Sequence, residues 1–318
     1  MPLSAIPGHT MMMKAVLCTA YGAPDVLEIR SVAKPTPRSG EIEVKVVSTA
    51  VNSGDVRVRA LRAEGIMKLA MRCALGFTKP RKPILGTVFA GVVSNIGGAV
   101  KEFAIGDQVF GLTGFRFGTH AEYVVVPAHS TVIHKPTNIT FDEAAALPFG
   151  GQTAHYFLMR AGIHLRKSPK VLIIGATGSV GVAALQIARL YSADITAVCS
   201  EEGATLAQEL GANRVVNYRN TPLSAITDTF SIVFDSVGVT SKKQCSKLLA
   251  PDGVFATVGG PAYASETREQ LRFLQKHAAQ GDFRAVIDRT YPLDQMADAH
   301  RYVDTGRKKG NVVIRVTE

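Results

Sequence analysis

Three glycines spaced three residues apart, Gly175, Gly178 and Gly181, separate an apolar run from a segment with helical periodicity. The run 170–175 reads as a buried strand, and 179–191 reads as a helix. Glycines at such a junction let the turn tighten, let the backbone approach a diphosphate and let the helix pack closely on the strand. The helix N-terminus offers N–H groups and its positive dipole end to the anion. The spacing therefore predicts a dinucleotide-binding turn.

The choice of dinucleotide depends on the end of the second strand, which is predicted over 194–199. A carboxylate there would accept a hydrogen bond from the ribose 2′-OH of NAD, whereas small or basic residues admit the 2′-phosphate of NADP. Ser200 follows this strand directly and could donate to a phosphate, while Glu201 would repel one if it points inward. The residues alone leave this choice open.

Strands alternate with helices in the part of the chain that must hold this turn. Thr140 and Glu143 have the spacing of a capping box at a helix start. Beyond them the pattern predicts strands at 170–175, 194–199, 213–217, 231–235 and 253–258, and helices at 179–191, 202–210 and 241–249. This alternation predicts right-handed crossovers and a parallel sheet. Its five strands are one fewer than a doubly wound nucleotide domain usually has.

The earlier part of the chain, from Met13 to about Pro136, has short β segments with apolar residues at period two, separated by Gly, Asp and Pro. This pattern predicts an all-β unit, a partly closed barrel. A last helix over 292–306 and a last strand over 311–316 end the chain. The change of pattern at Thr140 predicts an α/β protein of two units, with a boundary at 139/140.

Most of the formal net charge of +10 lies between Arg57 and Lys82, where the sequence has eight basic residues and a single acidic one, Glu64. Three interpretations are open: a solvated surface segment, a lid that attracts an anionic substrate or cofactor, and a nucleic-acid footprint. Only Phe77 in this segment could stack on a base, so nucleic acid is the least favoured partner.

The four cysteines lie far apart, with neither a CxxC pair nor a metal-type spacing. Such isolated thiols are typical of a reducing compartment, which predicts a cytoplasmic protein. No uninterrupted apolar run reaches the roughly 18 residues that a membrane span requires. The sequence therefore predicts no membrane segment.

Beyond these patterns, the chain resembles the medium-chain dehydrogenases/reductases of the zinc-independent quinone oxidoreductase type over nearly its whole length from Met13. Within that superfamily it most resembles enzymes named NAD(P)-dependent alcohol dehydrogenases. The resembling segments include PILGTVFAGVV, GDQVFG, AAALPFGGQTAHYFL, GATGSVG and HRYVDTGRKKGNVVI. The resemblance implies a GroES-like β domain over 1–139 and 284–318, to which the chain returns at its C-terminus, and a Rossmann domain over 140–283. It also implies a cofactor in the cleft between them.

The chain differs from the zinc-containing branch of the same superfamily, which has a Cys ligand and a Gly-His-Glu set where this chain has Asn52, Thr87 and Val88. These residues cannot form the His/Cys/carboxylate shell of a catalytic zinc. Alkoxide stabilisation during alcohol oxidation is hard without a Lewis acid, whereas a conjugated carbonyl spreads its developing charge. The resemblance therefore implies an NADPH-dependent, zinc-free reductase of quinones or α,β-unsaturated carbonyls.

The resemblance also implies site residues. Asn52 and Asp55 correspond to polar residues of the active-site cleft and are the catalytic candidates. The structural alternative is a turn-forming amide for Asn52 and a turn or cap for Asp55. The candidates for cofactor binding are Thr153, Gly175, Ala176, Thr177, Gly178, Ser179, Val180, Gly181, Ser200, Tyr218, Val237, Gly238, Gly259 and Asn311.

NADPH-using relatives have a small polar residue, a basic residue three positions later and a tyrosine after the third strand. Ser200 and Tyr218 match the first and last of these, Gly203 stands at the basic position, and Arg219 is a substitute cation. The expected cofactor is therefore NADPH, with NADH left open.

Two other functions stay open: a cofactor-sensing protein that binds RNA or a protein, and an alcohol dehydrogenase or carbonyl reductase of broad specificity. Relatives dimerise through the edge strand of the nucleotide sheet. Because that strand is short here, a homodimer is also left open.

Overall fold

The computed structural model describes residues 11–63, 65–259 and 264–317. Its strands are β1 (Met12–Cys18), β2 (Leu27–Ala33), β3 (Glu41–Val51), β4 (Val88–Ile96), β5 (Gln108–Leu112), β6 (Tyr123–Pro127), β7 (Val132–His134), β8 (Lys170–Ile174), β9 (Asp194–Cys199), β10 (Arg214–Asn217), β11 (Phe230–Asp235), β12 (Leu249–Thr257), β13 (Ile287–Pro292) and β14 (Asn311–Arg315). Its α-helices are α1 (Ser53–Arg59), α2 (Gly65–Leu75), α3 (Phe141–Ala146), α4 (Pro148–Arg160), α5 (Ser179–Leu190), α6 (Ala204–Glu209), α7 (Arg268–Gln280) and α8 (Met296–Asp304).

Five parallel strands form the sheet that carries the glycine turn, in the order β10-β9-β8-β11-β12. The five-strand parallel sheet predicted from the sequence is therefore confirmed within the described residues. The chain moves outward from β8 in one direction and then returns to β11 on its other side. Ligands of open α/β sheets bind at such a switch point, beyond the carboxyl ends of the strands.

Successive residues of β8 face opposite sides of this sheet, as the period of a strand requires. Val171 and Ile173 belong to the core formed with α4, α5 and α7, whereas Leu172 and Ile174 belong to the core on the other side. Both faces of the strand are thus buried, which is why its sequence is a continuous apolar run. The carboxyl end of this buried strand fixes the position of the glycine turn.

The helix predicted over 241–249 is wrong. The segment forms a turn followed by a short 3₁₀ helix over Ser246–Leu248, and β12 already begins at Leu249. Apolar residues at helical spacing are present, and Cys245 and Leu248 are buried. However, Leu249 pairs with Phe230 in the sheet, and the N–H groups of Ser246 and Leu248 donate to carbonyls three residues back, so the segment forms tight 3₁₀ turns and no α-helix.

Seven strands form the second sheet, in which β3 is central because it changes partner along its length. The residues Glu41–Lys45 pair with β6, and the residues Ser48–Val51 pair with β14, while β4 lies on the other side. The last strand of the chain therefore joins the sheet formed by its first part, and β13 extends that sheet in parallel with β14. This return confirms the connectivity expected from the resemblance.

The prediction of an all-β first part is wrong in one segment, since α1 and α2 follow β3. The basic residues found there are not all solvated. Arg59 is 1% exposed and donates from Nη2 to Asp304 Oδ2 over 2.6 Å, and Arg62 donates to the other oxygen of the same carboxylate over 2.6 Å. Two of the eight cations therefore join α1 and the segment directly after it to the end of α8.

Candidate active site

The turn between β8 and α5 is closed so tightly that its first and last glycines cannot carry side chains. Gly175 has φ +75°, and a Cβ built there would lie 2.1 Å from Val237 Cγ2. A Cβ on Gly181 would lie 2.2 Å from the carbonyl oxygen of Gly175. The middle glycine differs, because the nearest atom to a Cβ on Gly178 is 3.7 Å away. Gly175 and Gly181 are thus required by packing, whereas Gly178 leaves open space beside the turn.

The first turn of α5 forms the floor of this site. The first intrahelical hydrogen bond runs from Val182 N–H to the Gly178 carbonyl over 2.9 Å, so the N–H groups before it have no helical acceptor. The partial positive charge of these groups and of the helix dipole favours an anion here. The other residues of this turn that were predicted to bind the cofactor are Ala176, Thr177, Ser179 and Val180.

The C-terminal segment rests directly on this turn. Gly310 forms a parallel bridge with Gly178, and its N–H donates to the Thr177 carbonyl over 2.8 Å. Ser179 Oγ donates back to the Gly310 carbonyl over 2.8 Å. The neighbouring Asn311 starts β14, and its amide donates to the Val286 carbonyl over 3.1 Å. Asn311, a predicted cofactor-binding residue, therefore lies beside the turn, and its side chain is hydrogen-bonded to the residue before β13.

Lys308 is a cation at this turn that the sequence interpretation missed. Its Nζ donates to Ser179 Oγ and, over 2.8 Å, to the Gly310 carbonyl. Burial lowers the pKa of Lys308 to about 8, against the opposing effect of the Asp288 carboxylate. A partly buried ammonium beside the positive end of a helix dipole is poorly compensated by neutral acceptors. The arrangement favours a bound anion such as a diphosphate.

Ser200 and Tyr218 come together at the ends of β9 and β10. Ser200 follows Cys199 directly, and Tyr218 N–H donates to the Cys199 carbonyl over 3.2 Å. The Tyr218 side chain is exposed. The structure thus brings together the two residues that the resemblance matched to the ribose 2′ position.

The ends of β11 and β12 supply the next part of the same sheet edge. Asp235 holds the loop after β11, because its carboxylate accepts from the N–H groups of Val237, Gly238 and Thr240 over 2.7 to 3.0 Å. Val237 is 52% exposed although apolar. A Cβ on Gly238 would lie 2.6 Å from Gly259 Cα, so the two strand ends touch. These three residues, which were predicted to bind the cofactor, form an apolar surface beside Gly175.

Helix α4 connects this edge to the other side of the cleft. A Cβ on Gly150 would lie 2.2 Å from the Ser179 carbonyl, so the start of α4 touches the start of α5. Phe149 packs with Ala50 and Val88 of the second sheet. Thr153, one turn later, donates to the Phe149 carbonyl over 2.7 Å. Thr153, a predicted cofactor-binding residue, therefore lies on a helix that contacts both α5 and the second sheet.

Asn52 and Asp55 form a complete capping box at the start of α1. Asn52 Oδ1 accepts from Gly54 and Asp55 N–H over 2.8 and 3.1 Å, and Asp55 Oδ2 accepts from Asn52 N–H over 3.0 Å. Asn52 Nδ2 donates to Thr87 Oγ1 over 2.9 Å. Two of the positions occupied by ligands in the zinc branch are thus hydrogen-bonded to each other. The contacts observed are those of the structural alternative, and a catalytic role stays a prediction.

Asp55 differs from an ordinary cap because it is fully buried. Burial raises the pKa of its carboxyl to about 7, although hydrogen bonds from the backbone of Asn52 and Gly86 lower it. Its second oxygen, Oδ1, has no hydrogen-bond partner among the described residues. Asp55 is therefore a buried acid that changes charge near neutral pH.

No group of three or more His, Cys, Asp or Glu side chains in the described ranges is placed to hold a metal ion. All four cysteines are free thiols. In the same ranges, no helix combines the length and apolar character needed to cross a bilayer.

Comparison with known proteins agrees with this geometry. The family model described as alcohol dehydrogenase GroES-like domain matches residues 38–137, and the one described as zinc-binding dehydrogenase matches 179–297. The 2-methylene-furan-3-one reductase of Solanum lycopersicum is 33% identical over 95% of this chain and 79% of its own. The chain belongs to the quinone-oxidoreductase-like medium-chain dehydrogenases/reductases.

Two further members support this assignment. The chloroplastic NADPH-dependent alkenal/one oxidoreductase of Arabidopsis thaliana is 30% identical over 95% of this chain and 79% of its own. The quinone oxidoreductase from Coxiella burnetii superposes with a TM-score of 0.83 at 26% identity, covering 96% of this chain and all of that one. Fold and family together make this protein an oxidoreductase with a nicotinamide cofactor.

The residues of this medium-chain reductase fit such a cofactor. The tight glycine turn would accept the diphosphate, and the helix N-terminus and Lys308 supply positive charge beside it. Lys308 and Asp235 were both missed from sequence. The basic pair in GRKKG and the Asp before the turn in DSVG were the available signals.

Proposed function

We propose that this medium-chain reductase transfers a hydride from NADPH to a quinone or an α,β-unsaturated carbonyl compound, without zinc. The observation that carries the proposal is the glycine turn at the carboxyl edge of the parallel sheet, with Lys308 and the C-terminal segment packed on it. This combination of a steric cradle, helix N–H groups and a fixed cation suits the diphosphate of a dinucleotide.

The substrate class is supported by the relatives. One is named as the reductase of a methylene-furanone, another as an oxidoreductase of alkenals and alkenones, and a structural neighbour as a quinone oxidoreductase. We infer the same class for this chain because it covers most of their length and shares their fold.

The proposal of zinc-free chemistry rests on residue types. An amide and a hydroxyl, Asn52 and Thr87, bond to each other at the places of zinc ligands, and neither is a usual ligand of catalytic zinc. A conjugated acceptor suits this site because its negative charge delocalises during reduction. Alcohol oxidation by a recruited metal is the competing hypothesis, and metal analysis of the active protein decides it.

The bound nicotinamide would supply the hydride, and we propose that the chain's residues bind and orient the two reactants. The turn residues 175–181 would hold the diphosphate, and Ser200 with Tyr218 the adenosine end. Val237, Gly238, Gly259, Thr153 and Asn311 would line the path between them. Asn52 and Asp55 would shape the substrate side through the capping box. Orientation and exclusion of water then supply the rate enhancement.

Oxidation of NADPH and NADH with a panel of quinones, enones and simple ketones tests this function. We expect turnover of conjugated acceptors with NADPH and little with simple ketones. Tight dinucleotide binding without turnover of any acceptor would contradict the proposal and favour a cofactor-sensing role. In that case RNA binding should be steeply salt-dependent.

We further propose domain boundaries at 139/140 and 283/284 and a cytoplasmic location, which the four free thiols support. Limited proteolysis and cell fractionation test these two points. Sedimentation decides whether the protein is a homodimer.

A further inference from the structure

We propose that Lys309, with Ser200 and Arg219, forms the subsite for the 2′-phosphate of NADPH, and that Glu202 occupies this subsite as an internal anion in the free protein. The inference rests on the proposed use of NADPH and adds to it the residues that select this cofactor. It also explains how a chain with glycine at the usual basic position could recognise a 2′-phosphate.

Steric contact explains why position 203 carries no basic side chain. A Cβ built on Gly203 would lie 2.8 Å from Thr177 Cγ2 and 3.0 Å from Thr177 Oγ1. Thr177 is part of the glycine turn and is fixed there by the Gly310 N–H. A side chain at 203 would therefore press on the side chain of Thr177, within the turn that we propose to hold the diphosphate.

Lys309 brings a cation to the same place from the opposite end of the chain. Its backbone N–H donates to Asp288 Oδ2 over 2.9 Å, which fixes the backbone. Its Nζ reaches the Glu202 carbonyl over 2.5 Å. A carbonyl is neutral, so this contact leaves the charge of Lys309 available to a phosphate. The cation thus lies one residue from Gly203, where the usual basic side chain is missing.

Arg219 supplies a second cation beside this one. It follows Tyr218 directly, and its Nη1 donates to Glu202 Oε1 over 2.9 Å. Both side chains of this pair are 54% exposed, so the pair itself adds little stability and is easily exchanged. A phosphate, with more charge and three acceptor oxygens, is a better partner for a guanidinium.

Glu202 therefore makes the contacts that a 2′-phosphate would make. Its carboxylate engages Arg219, and its carbonyl engages Lys309. Hydrogen bonding by Ser200, with contributions from the backbone and Arg219, lowers the pKa of the Glu202 carboxyl to about 2. The carboxylate is thus ionised at physiological pH and has to move aside when a phosphate binds. Lys309 favours NADPH, and Glu202 opposes it.

Adenosine 2′,5′-bisphosphate and 5′-AMP are probes that differ only in the 2′-phosphate. Calorimetric titration of the full chain should show that Lys309→Met weakens binding of the bisphosphate about tenfold, as expected for a lost charge-assisted hydrogen bond. Binding of 5′-AMP should change less than about twofold, and Lys309→Arg should retain most of the affinity. Glu202→Gln should tighten bisphosphate binding about threefold without affecting 5′-AMP.

Lys170→Met is the matched control. It removes the same charge from the same sheet, but at the amino end of the central strand β8, away from the carboxyl ends where the proposed subsite lies. It should leave both affinities unchanged. Equal weakening of both probes by Lys309→Met, or no weakening at all, would overturn the role of Lys309. Weaker binding of 5′-AMP by Glu202→Gln would show that Glu202 is a ribose ligand and would overturn its role as competitor.

Turnover of the unmodified protein separates this inference from the proposed function. If NADPH supports reduction of conjugated acceptors but Lys309→Met leaves the ratio of kcat/KM for NADPH and NADH unchanged, only the subsite inference fails. If no acceptor is reduced while the bisphosphate titrations follow the prediction, the function fails and the subsite stands.

Discussion

The proposed cofactor end and the proposed substrate end of the site are built in different ways. At the cofactor end, backbone atoms and two sterically required glycines define the site, and the cations Lys308 and Lys309 come from the C-terminal segment. At the substrate end, Asn52 and Asp55 use their polar atoms in a capping box and in a bond to Thr87. The cofactor end has polar groups that are available to a ligand, whereas most polar groups at the substrate end are already hydrogen-bonded within the protein.

We therefore expect substitutions at the two ends to have different consequences. Substitutions at the cofactor end should change binding. Substitutions at the substrate end should change stability first and turnover through it.

The largest effect is expected at the glycine turn, where two neighbouring glycines should behave differently. Gly181→Ala places a Cβ 2.2 Å from the Gly175 carbonyl and should lower the free energy of unfolding by about 3 kcal/mol, as overpacking does. Gly178→Ala meets nothing closer than 3.7 Å. It should leave the free energy of unfolding nearly unchanged but weaken dinucleotide binding about tenfold, because its Cβ would enter the space that we propose for the diphosphate.

Urea unfolding and NADPH titration of the two variants check this prediction. Equal losses of stability would show that the middle glycine is also required by packing, contrary to the open space beside it.

Lys308→Met should weaken binding of NADPH and NADH equally, about tenfold each. The reason is that Lys308 contacts the turn that we propose to hold the diphosphate, which both cofactors share. The affinity of the unmodified protein should also fall as the pH rises past about 8, where Lys308 loses its proton. Lys308→Arg should abolish this decline, since a guanidinium stays charged. Titrations between pH 7 and about 9.5 provide the measurement, and a pH-independent affinity would contradict the role.

Asp55 should make stability depend on pH. Its pKa in the native state is raised to about 7, while the unfolded chain has an ordinary carboxyl near about 4. The native state therefore holds this proton more tightly, and the stability that this provides is lost as the pH rises from about 4 to about 7.

The Asp55→Asn variant has no charge to develop and keeps an oxygen for the Asn52 N–H. The difference between its free energy of unfolding and that of the unmodified protein should therefore shift in favour of the variant from about pH 5 to about pH 8. Chemical denaturation at both pH values measures the difference, and a constant difference would refute the buried-acid interpretation.

The smallest effect is expected for Asn52→Ala, which removes the cap of α1 and the bond to Thr87. The loss should be about 1 kcal/mol. Thr87→Val removes only the second contact and should cost less. Thermal unfolding compares the two variants, and a larger loss for Thr87→Val would assign the stabilisation to the Thr87 bond and not to the cap.

The features that sequence predicts well are those set by neighbouring residues. The glycine spacing, the central strands and the Thr140–Glu143 capping box are of this kind, and the structure has each of them. The capping box needs only side chains three residues apart, and the strands need only a continuous apolar run.

The features that sequence missed depend on contacts between distant segments. Lys308 reaches Ser179 across 129 residues, and Lys309 reaches Glu202 across 107, so no local pattern marks them. The segment 241–249 has helical spacing, but β12 takes its last residue for pairing. Asn52 ends an alternating pattern in which a helix cap and a strand end look alike.

The central claim is that the backbone turn holds NADPH while hydride passes to a conjugated acceptor without a metal. The most direct test is the rate of NADPH oxidation with an α,β-unsaturated ketone, measured on protein dialysed against a chelator with its metal content determined. The account predicts an undiminished rate and the saturated ketone as product. Loss of activity that zinc restores, or no NADPH consumption with any acceptor, would contradict it.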